Sequence, residues 1–308
     1  MSQRTAKQQK QSETRRQTME RRKGQVCKVY ILKINRRRMS KSTLQTLLRI
    51  FLEAKWLRNA ILASDNVFDF DPRCKQVQVK VKDDFELRPL QVLGSQIKQS
   101  IHAQIKSEIK GLSTKKKKGQ QVGGLKFKSW VGSVDLKQHG VTYTLTSNGR
   151  LSLQKVKQRL RVRGMKQIPE GAEFANAKLV QKHGDFYLHL TCFVTPAQLE
   201  AHRQSKHRPA CPKIQGLGLD LGIAHQITTS NGVKIKYRVP VGPEIRKAHK
   251  KVSRTQKGSS GRRKARFKLQ KAYAKTTHVK ENLKNQIIAI LFSFAQGVCV
   301  QDDYVKGW

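Results

Sequence analysis

Acidic residues are scarce in this chain: 20 Asp and Glu stand against 64 Lys and Arg in 308 residues, for a formal charge of +44. A chain so short of acids repels itself at neutral pH, and the usual reason for tolerating this is a polyanionic partner. Aromatic residues are also few, at 6%. With the bases spread along the whole length, this favours extended contact with a phosphate backbone over one small charged pocket. An anionic membrane is the competing partner. No apolar run approaches the roughly 20 residues that a bilayer span needs, and the longest, Ile287 to Ala295, has Ser293 inside it. No membrane partner is therefore expected. The first residues are charged but have no apolar core behind them, so no secretory signal is read and an intracellular protein is expected. The five cysteines, Cys27, Cys74, Cys192, Cys211 and Cys299, form no C-x-x-C pair. Neither a disulfide framework nor a zinc site is indicated.

What is present supports folding. The hydrophobic share of 37% and the length allow two or three domains, each with its own core. Residues 1–24 carry Arg4, Lys7, Lys10, Arg15, Arg16, Arg21, Arg22 and Lys23 among Gln, Ser and Thr. They bury no face and are expected to be a basic arm, disordered until it meets a polyanion. Val26 to Ile34 reads as a β-strand. After Arg36, Arg37 and Arg38, either Ser40 or Ser42 can cap a helix whose apolar positions Leu44, Leu47, Leu48, Phe51 and Ala54 recur at three and four. Beyond a loop with Asp69, Asp71 and Pro72, the same period runs from Val92 to Ile109.

A helical subdomain is thus expected over 40–113, followed by a basic, glycine-ended linker over 114–124 that contains Lys115, Lys116, Lys117 and Lys118. Short alternating segments follow at Val141 to Leu145, Arg150 to Leu153, Leu160 to Val162, Ala177 to Gln181 and Phe186 to Val194. Turns at Asn148-Gly149, Pro169-Glu170-Gly171 and His183-Gly184-Asp185 separate them. The pattern predicts a small antiparallel barrel or sandwich over 125–210, with residues 25–39 as its first strand and the helices inserted between.

Residues 216–236, GLGLDLGIAHQITTSNGVKIK, read as two strands joined by a turn at Ser230, Asn231 and Gly232. Asp220 stands mid-strand between Leu219 and Leu221, where nothing local pairs it, and a lone charge there is costly unless it meets a cation. A structural Asp on a half-wet edge is the plainer alternative. From Pro243 the pattern is helical to Ala295, broken over Gly258 to Gly261. Arg246, Lys250, Arg254, Arg262, Arg263 and Arg266 belong to a run of like charges that repel at i,i+4 in water. Solvated helix faces mix signs, and this one does not, so it is read as nucleic-acid-binding. Val298 to Val300 is a last strand.

Three segments together, GLGLDLGIAHQITTSNG, KKVSRTQKGSSGRRKARFKLQKAYAK and VCVQDDYVKGW, resemble the RuvC portion of TnpB, the transposon-encoded RNA-guided nuclease related to miniature type V CRISPR effectors. LKFKSW at 125–130 resembles the family's R-F-K signature, and the strands around it resemble its wedge barrel. The resemblance covers nearly the whole chain from about residue 25; the basic arm has no counterpart. It implies a multidomain α/β and α+β protein: a wedge-type antiparallel β-barrel with an inserted helical recognition lobe, then a truncated RuvC (RNase H-like) domain over 211–308. The implied partners are a guide RNA and double-stranded target DNA, in the cytoplasm and nucleoid of a prokaryote. Lys126 and Lys128 join Arg36 to Arg38, Lys115 to Lys118 and the basic helices as expected contacts.

The family's chemistry uses carboxylates to hold two Mg²⁺ ions roughly 3.5 to 4 Å apart on the reacting phosphodiester. Asp220 matches the first acid. The Glu of the second strand has Gln301 in its place, whose neutral amide is a poor ligand for hard Mg²⁺. Along a strand Asp302 would face the other way, and Asp303 would lie roughly 6 to 7 Å further on. A third acid, with a zinc-binding insertion before it, would be expected after Trp308. The resemblance therefore implies guide-dependent binding more firmly than cutting. Target occupancy could act in repression or by recruiting transcription machinery, with RNA polymerase or a sigma factor as partner. The alternatives are the family's Mg²⁺-dependent endonuclease as a truncated copy, and a generic basic RNA-binding protein in which Asp220 is structural.

Overall fold

β-Branched and alternating apolar residues make Val26–Ile34 a strand (β1) whose Leu32 and Ile34 are fully buried. The computed structural model describes residues 6–81, 84–205, 213–222, 224–237, 239 and 242–300. The chain divides into two units, Met1–Gln204 and Ser205–Trp308.

In the first unit, β1 lies inside a seven-stranded antiparallel sheet. The other strands are β4 (Ser133–Leu136), β5 (Tyr143–Leu145), β6 (Arg150–Leu153), β7 (Leu160–Arg163), β8 (Glu173–Lys182) and β9 (Asp185–Val194), in the order β4-β8-β9-β1-β7-β6-β5. A bridge between His139, just after β4, and Tyr143 of β5 brings the two edges together, so the barrel is nearly closed. β1 pairs with β9 from Val26 opposite Val194 to Ile34 opposite Phe186, which places the strand before the helices in the same sheet as those after them. The β8–β9 hairpin turns on His183 and Gly184, both at positive φ (51° and 78°), the twist that two-residue hairpin loops favour.

Between β1 and β4 come α2 (Lys41–Ala63), a hairpin of β2 (Gln76–Val81) and β3 (Asp84–Pro89), and α3 (Ser95–Lys117). Ser40 caps α2 by accepting from the Thr43 N–H. The helical subdomain expected over 40–113 also holds the β2–β3 hairpin, which the sequence reading did not include. Its alternating QVQVKV pattern buries little beyond Val77, so its apolar signal is weak. The expected linker is corrected too: α3 runs through Lys115–Lys117 to a C-cap at Lys118, because nothing in the lysine run breaks a helix. Helices and barrel share one core, in which Phe51 of α2 stacks on Phe186 of β9 at 6.1 Å. The fully buried Glu53 carboxylate accepts from the Gln91, Val92 and Leu93 N–H groups (3.0, 2.9 and 3.2 Å) and from Arg49 Nε (2.8 Å), fixing the turn that launches α3.

Residues 6–23 correct the expected disorder. Ala6–Lys23 is a helix (α1) with no apolar face, ending against the barrel through Arg21 and Arg22. A further short helix, α4 (Pro196–Gln204), follows β9.

The second unit has a four-stranded sheet in the order β12-β11-β10-β13, comprising β10 (Ile214–Asp220), β11 (Ile227–Thr229), β12 (Lys234–Ile235) and β13 (Ala295–Val300). The two strands expected over 216–236 are corrected to three short ones, β10, β11 and β12, and Asp220, expected mid-strand, is the last residue of β10. β10 pairs antiparallel with β11 and parallel with β13, and the crossover between them carries α5 (Pro243–Ser253) and α6 (Ser260–Phe294). Leu217, Leu219, Ile227, Leu291 and Ala295 form the small core. The helix break lies at Arg254–Ser259. Gly261 is inside α6, and β13 begins at Ala295, earlier than the expected Val298. Among the described residues no helix is long and apolar enough to cross a membrane.

Candidate nucleic-acid interface

Within the second unit the cations converge on the α5–α6 hairpin. Small residues, Ala248 on α5 and Ala265 and Ala272 on α6, line the groove between the two helices, leaving room for close approach. The His249 ring edge meets Tyr273 with Nε2 2.7 Å from the hydroxyl, which ties the helices together. Lys247, Lys251, Lys268 and Lys271 flank this groove, and one acid, Glu244, meets Lys275 at 3.3 Å. Arg246 and Lys250 are exposed on α5, and Arg254 is exposed as its C-cap.

At the other end of the hairpin, Lys257, Arg262, Arg263, Arg266 and Phe267 line an open depression beside the α6 N-terminus, where Ser259 caps by accepting from the Arg262 N–H. The arginines are not equivalent. Arg262 Nη1 donates to the carbonyls of Val252 (2.9 Å) and Thr255 (2.7 Å), satisfying acceptors at the end of α5. Arg263 and Arg266 are exposed and make no ion pair among the described residues. Arg262 is a staple of the turn, and its neighbours are the surface that can meet phosphate.

In the first unit the other sequence-derived contacts fall at separate places. Arg36–Arg38 form one 3-10 turn after β1, in which Arg36 Nη1 donates to the Gly184 carbonyl at 2.6 Å. Arg37 and Arg38 are exposed there. Lys115–Lys118 end α3, exposed. Lys126 and Lys128 lie in an extended segment without regular structure, held by a contact that pattern reading misses: the Asn59 side chain of α2 donates to the Lys128 carbonyl and accepts from the Lys128 N–H, both at 3.0 Å. That clamp sets the exposed Phe127 beside Trp56, Phe85, Lys55 and Lys80 around a cleft of about 350 Å³. The basic and aromatic residues of LKFKSW signalled a contact segment; the partner on α2 left no local signal.

Asp220 closes β10 opposite Thr228, with its carboxylate exposed. Gln301 lies outside the described residues, as do Asp302 and Asp303. The parallel register Leu219 opposite Val300 is the last described pair before them. Among the described residues no three His, Cys, Asp or Glu side chains gather into a metal-holding group. A two-Mg²⁺ site needs several carboxylates, and the described surface at the end of β10 offers Asp220 alone, so these residues do not by themselves fit the ion pair.

Fold and surface together define a strongly basic mixed α/β protein, with a nearly closed antiparallel barrel in one unit and a predominantly cationic helical hairpin on a mixed sheet in the other. No protein-family model matches the chain. A Streptomyces pristinaespiralis protein provisionally named as an RNA-guided DNA endonuclease is 29% identical over 163 residues, which is 52% of this chain and 38% of that relative. The chain is thus similar to that relative over about half of its own length and spans well under two thirds of the relative's.

Proposed function

We propose that the protein carries a guide RNA and uses it to hold matching double-stranded DNA, with occupancy rather than cutting as its action. The observation that carries the guide and target part of this reading is the similarity to a protein named as an RNA-guided DNA endonuclease. The α5–α6 hairpin, with Arg263, Arg266, Lys247, Lys251, Lys268 and Lys271, supports it as a surface for a sugar-phosphate backbone. In such systems sequence choice comes from base pairing, while the protein reads backbone and a short flanking motif. The parallel β10–β13 pairing supports a RuvC-like reading of 211–308, since it brings the strand of Asp220 beside the strand that leads to Gln301.

Occupancy without cleavage follows from chemistry at that pair of strands. Gln301 is an amide where the family's second strand has Glu, and a neutral oxygen does not replace a unit of negative charge at a site for two divalent ions. A bound complex of this kind acts on transcription, by blocking RNA polymerase or by recruiting it through a sigma factor. The relative's name favours the second reading, a copy of an RNA-guided endonuclease.

The deciding experiment isolates the full chain with its copurifying RNA at high salt, sequences that RNA, and maps genomic occupancy after the guide segment is replaced. The reading expects one structured RNA species and occupancy that moves with the guide. A random mixture of cellular RNA, or occupancy that stays where it was, overturns it. Guide-dependent cleavage of labelled duplex in Mg²⁺ turns the conclusion to the endonuclease.

A further inference from the structure

α1 has a composition that a free helix in water does not sustain. Ala6–Lys23 is polar all round, has no acid in its first turn, and its largest apolar side chain, Met19, is exposed. A helix of this kind holds only if something satisfies its charges, because an isolated helix of such length is marginal and a polar one has no face to bury. Its last turn does have a partner. Glu173 at the start of β8 accepts from Arg21 Nη2 at 3.0 Å and from Arg22 Nη2 at 2.6 Å, and the Arg22 guanidinium lies 4.0 Å over the Phe193 ring on β9. Glu173 and Phe193 are directly opposite in the β8–β9 register, so carboxylate and ring form one seat for the two arginines. Burial of Glu173 would raise its carboxyl, yet Arg22 and Arg21 together hold it below the ordinary value.

Arg15 and Arg16, a turn and more before that seat, have none like it among the described residues. Lys23 pairs within the helix, with Glu20 at 2.8 Å. Arg15 and Arg16 are exposed and make no ion pair among the described residues. An 18-residue helix is about 27 Å long at roughly 1.5 Å per residue, so the seat fixes one end of a cationic rod on which Arg15 and Arg16 are exposed.

We propose that α1 is an RNA-binding arm, latched to the barrel by Glu173 and Phe193 so that Arg15 and Arg16 meet the backbone of the resident RNA. This rests on the RNA-binding reading above. RNA is chosen over target DNA because the helix needs a standing counter-charge, and in that reading the RNA is the polyanion always bound. Glu173 is a positioning residue that acts through Arg21 and Arg22.

The test uses the full chain, a labelled RNA hairpin and a labelled DNA duplex, with affinities measured across a salt series. Arg15→Ala with Arg16→Ala leaves a helix of equal or better propensity, so loss of folding does not confuse the result. The proposal expects weaker RNA binding and a log-log salt slope shallower by about 1.4 to 1.8, the share of two phosphate contacts. Arg263→Ala with Arg266→Ala is the reference pair. If only that pair weakens RNA binding, the arm proposal falls and the RNA-binding reading stands. If neither pair does, both fall. If the Arg15/Arg16 pair alters only uptake of duplex by the RNA complex, α1 serves DNA and the proposal is wrong. For the latch, a photo-crosslinking residue in place of the exposed Ser12 reports where α1 touches. One crosslinked RNA position is expected, dispersing to several when Glu173→Gln is added. A pattern unmoved by Glu173→Gln removes the latch.

Discussion

Leu219 of β10 stands opposite Val300 of β13 in a parallel ladder, and the residues that follow them in sequence are Asp220 and Gln301. One carboxylate and one amide therefore succeed a pair that the tertiary fold brings together. Asp220 is exposed, so Asp220→Ala is expected to shift stability by no more than about 0.5 kcal/mol. It should also leave RNA and duplex binding unchanged. The full chain with its RNA, in Mg²⁺ or Mn²⁺, is expected to bind labelled duplex and return it intact. Guide-dependent cleavage that disappears in Asp220→Ala would refute the occupancy reading.

Arg262 and Arg263 are neighbours in sequence with opposite expected behaviour. Arg262→Ala removes charge-assisted bonds to Val252 and Thr255 and is expected to destabilise the second unit by about 1.5 to 3 kcal/mol. Arg262→Lys should recover little, since a single ammonium lacks the planar fork. Arg263→Ala should leave the melting curve in place and lower the salt slope of nucleic-acid binding by about 0.7 to 0.9. Thermal unfolding and a salt series separate the two; equal melting losses would contradict the assignment.

Asn59→Ala is expected to release residues 125–130. Both hydrogen bonds to Lys128 are lost, together worth about 1 to 3 kcal/mol. Hydrogen exchange at the Lys128 amide should accelerate by the corresponding factor, and RNA affinity should fall without any change in the charge of the chain. Unchanged protection at Lys128 would show that Asn59 does not hold the segment.

Glu53 carries the turn before α3. Truncation to Ala leaves three backbone N–H groups and Arg49 without their acceptor, and an unpaired buried site of this kind costs about 3 to 5 kcal/mol. Glu53→Gln, which keeps one acceptor oxygen, should fall between. Urea unfolding of the full chain reads both, and a loss near that of a surface substitution would overturn the role.

Local physics made much of the first unit legible. β1 and β6 appear at their expected bounds because alternation and turn residues act over a few positions. The Ser40 cap and the turn at His183-Gly184 likewise depend on neighbours alone. The single sheet was also readable, since β1 had no other strand before the helices to pair with. The weakly apolar β2–β3 hairpin was not readable, and neither was β4, a four-residue strand whose partner is β8.

Charge was legible as an amount and not as an arrangement. The excess of Lys and Arg, the one-signed run from Arg246 to Lys275 and the amide at Gln301 follow from the sequence by itself. Tertiary structure decided which cations are already committed. Arg262 is bound to two carbonyls, and Arg22 reaches Glu173 across 151 residues, while Arg263 and Arg15 are exposed to solvent. Composition read residues 1–24 as disordered because they contain no face to bury, yet Ala6–Lys23 is a helix. Their helix is held instead by an acid and a ring on other strands, and such partners are chosen by the fold because an ion pair depends on distance in space rather than along the chain.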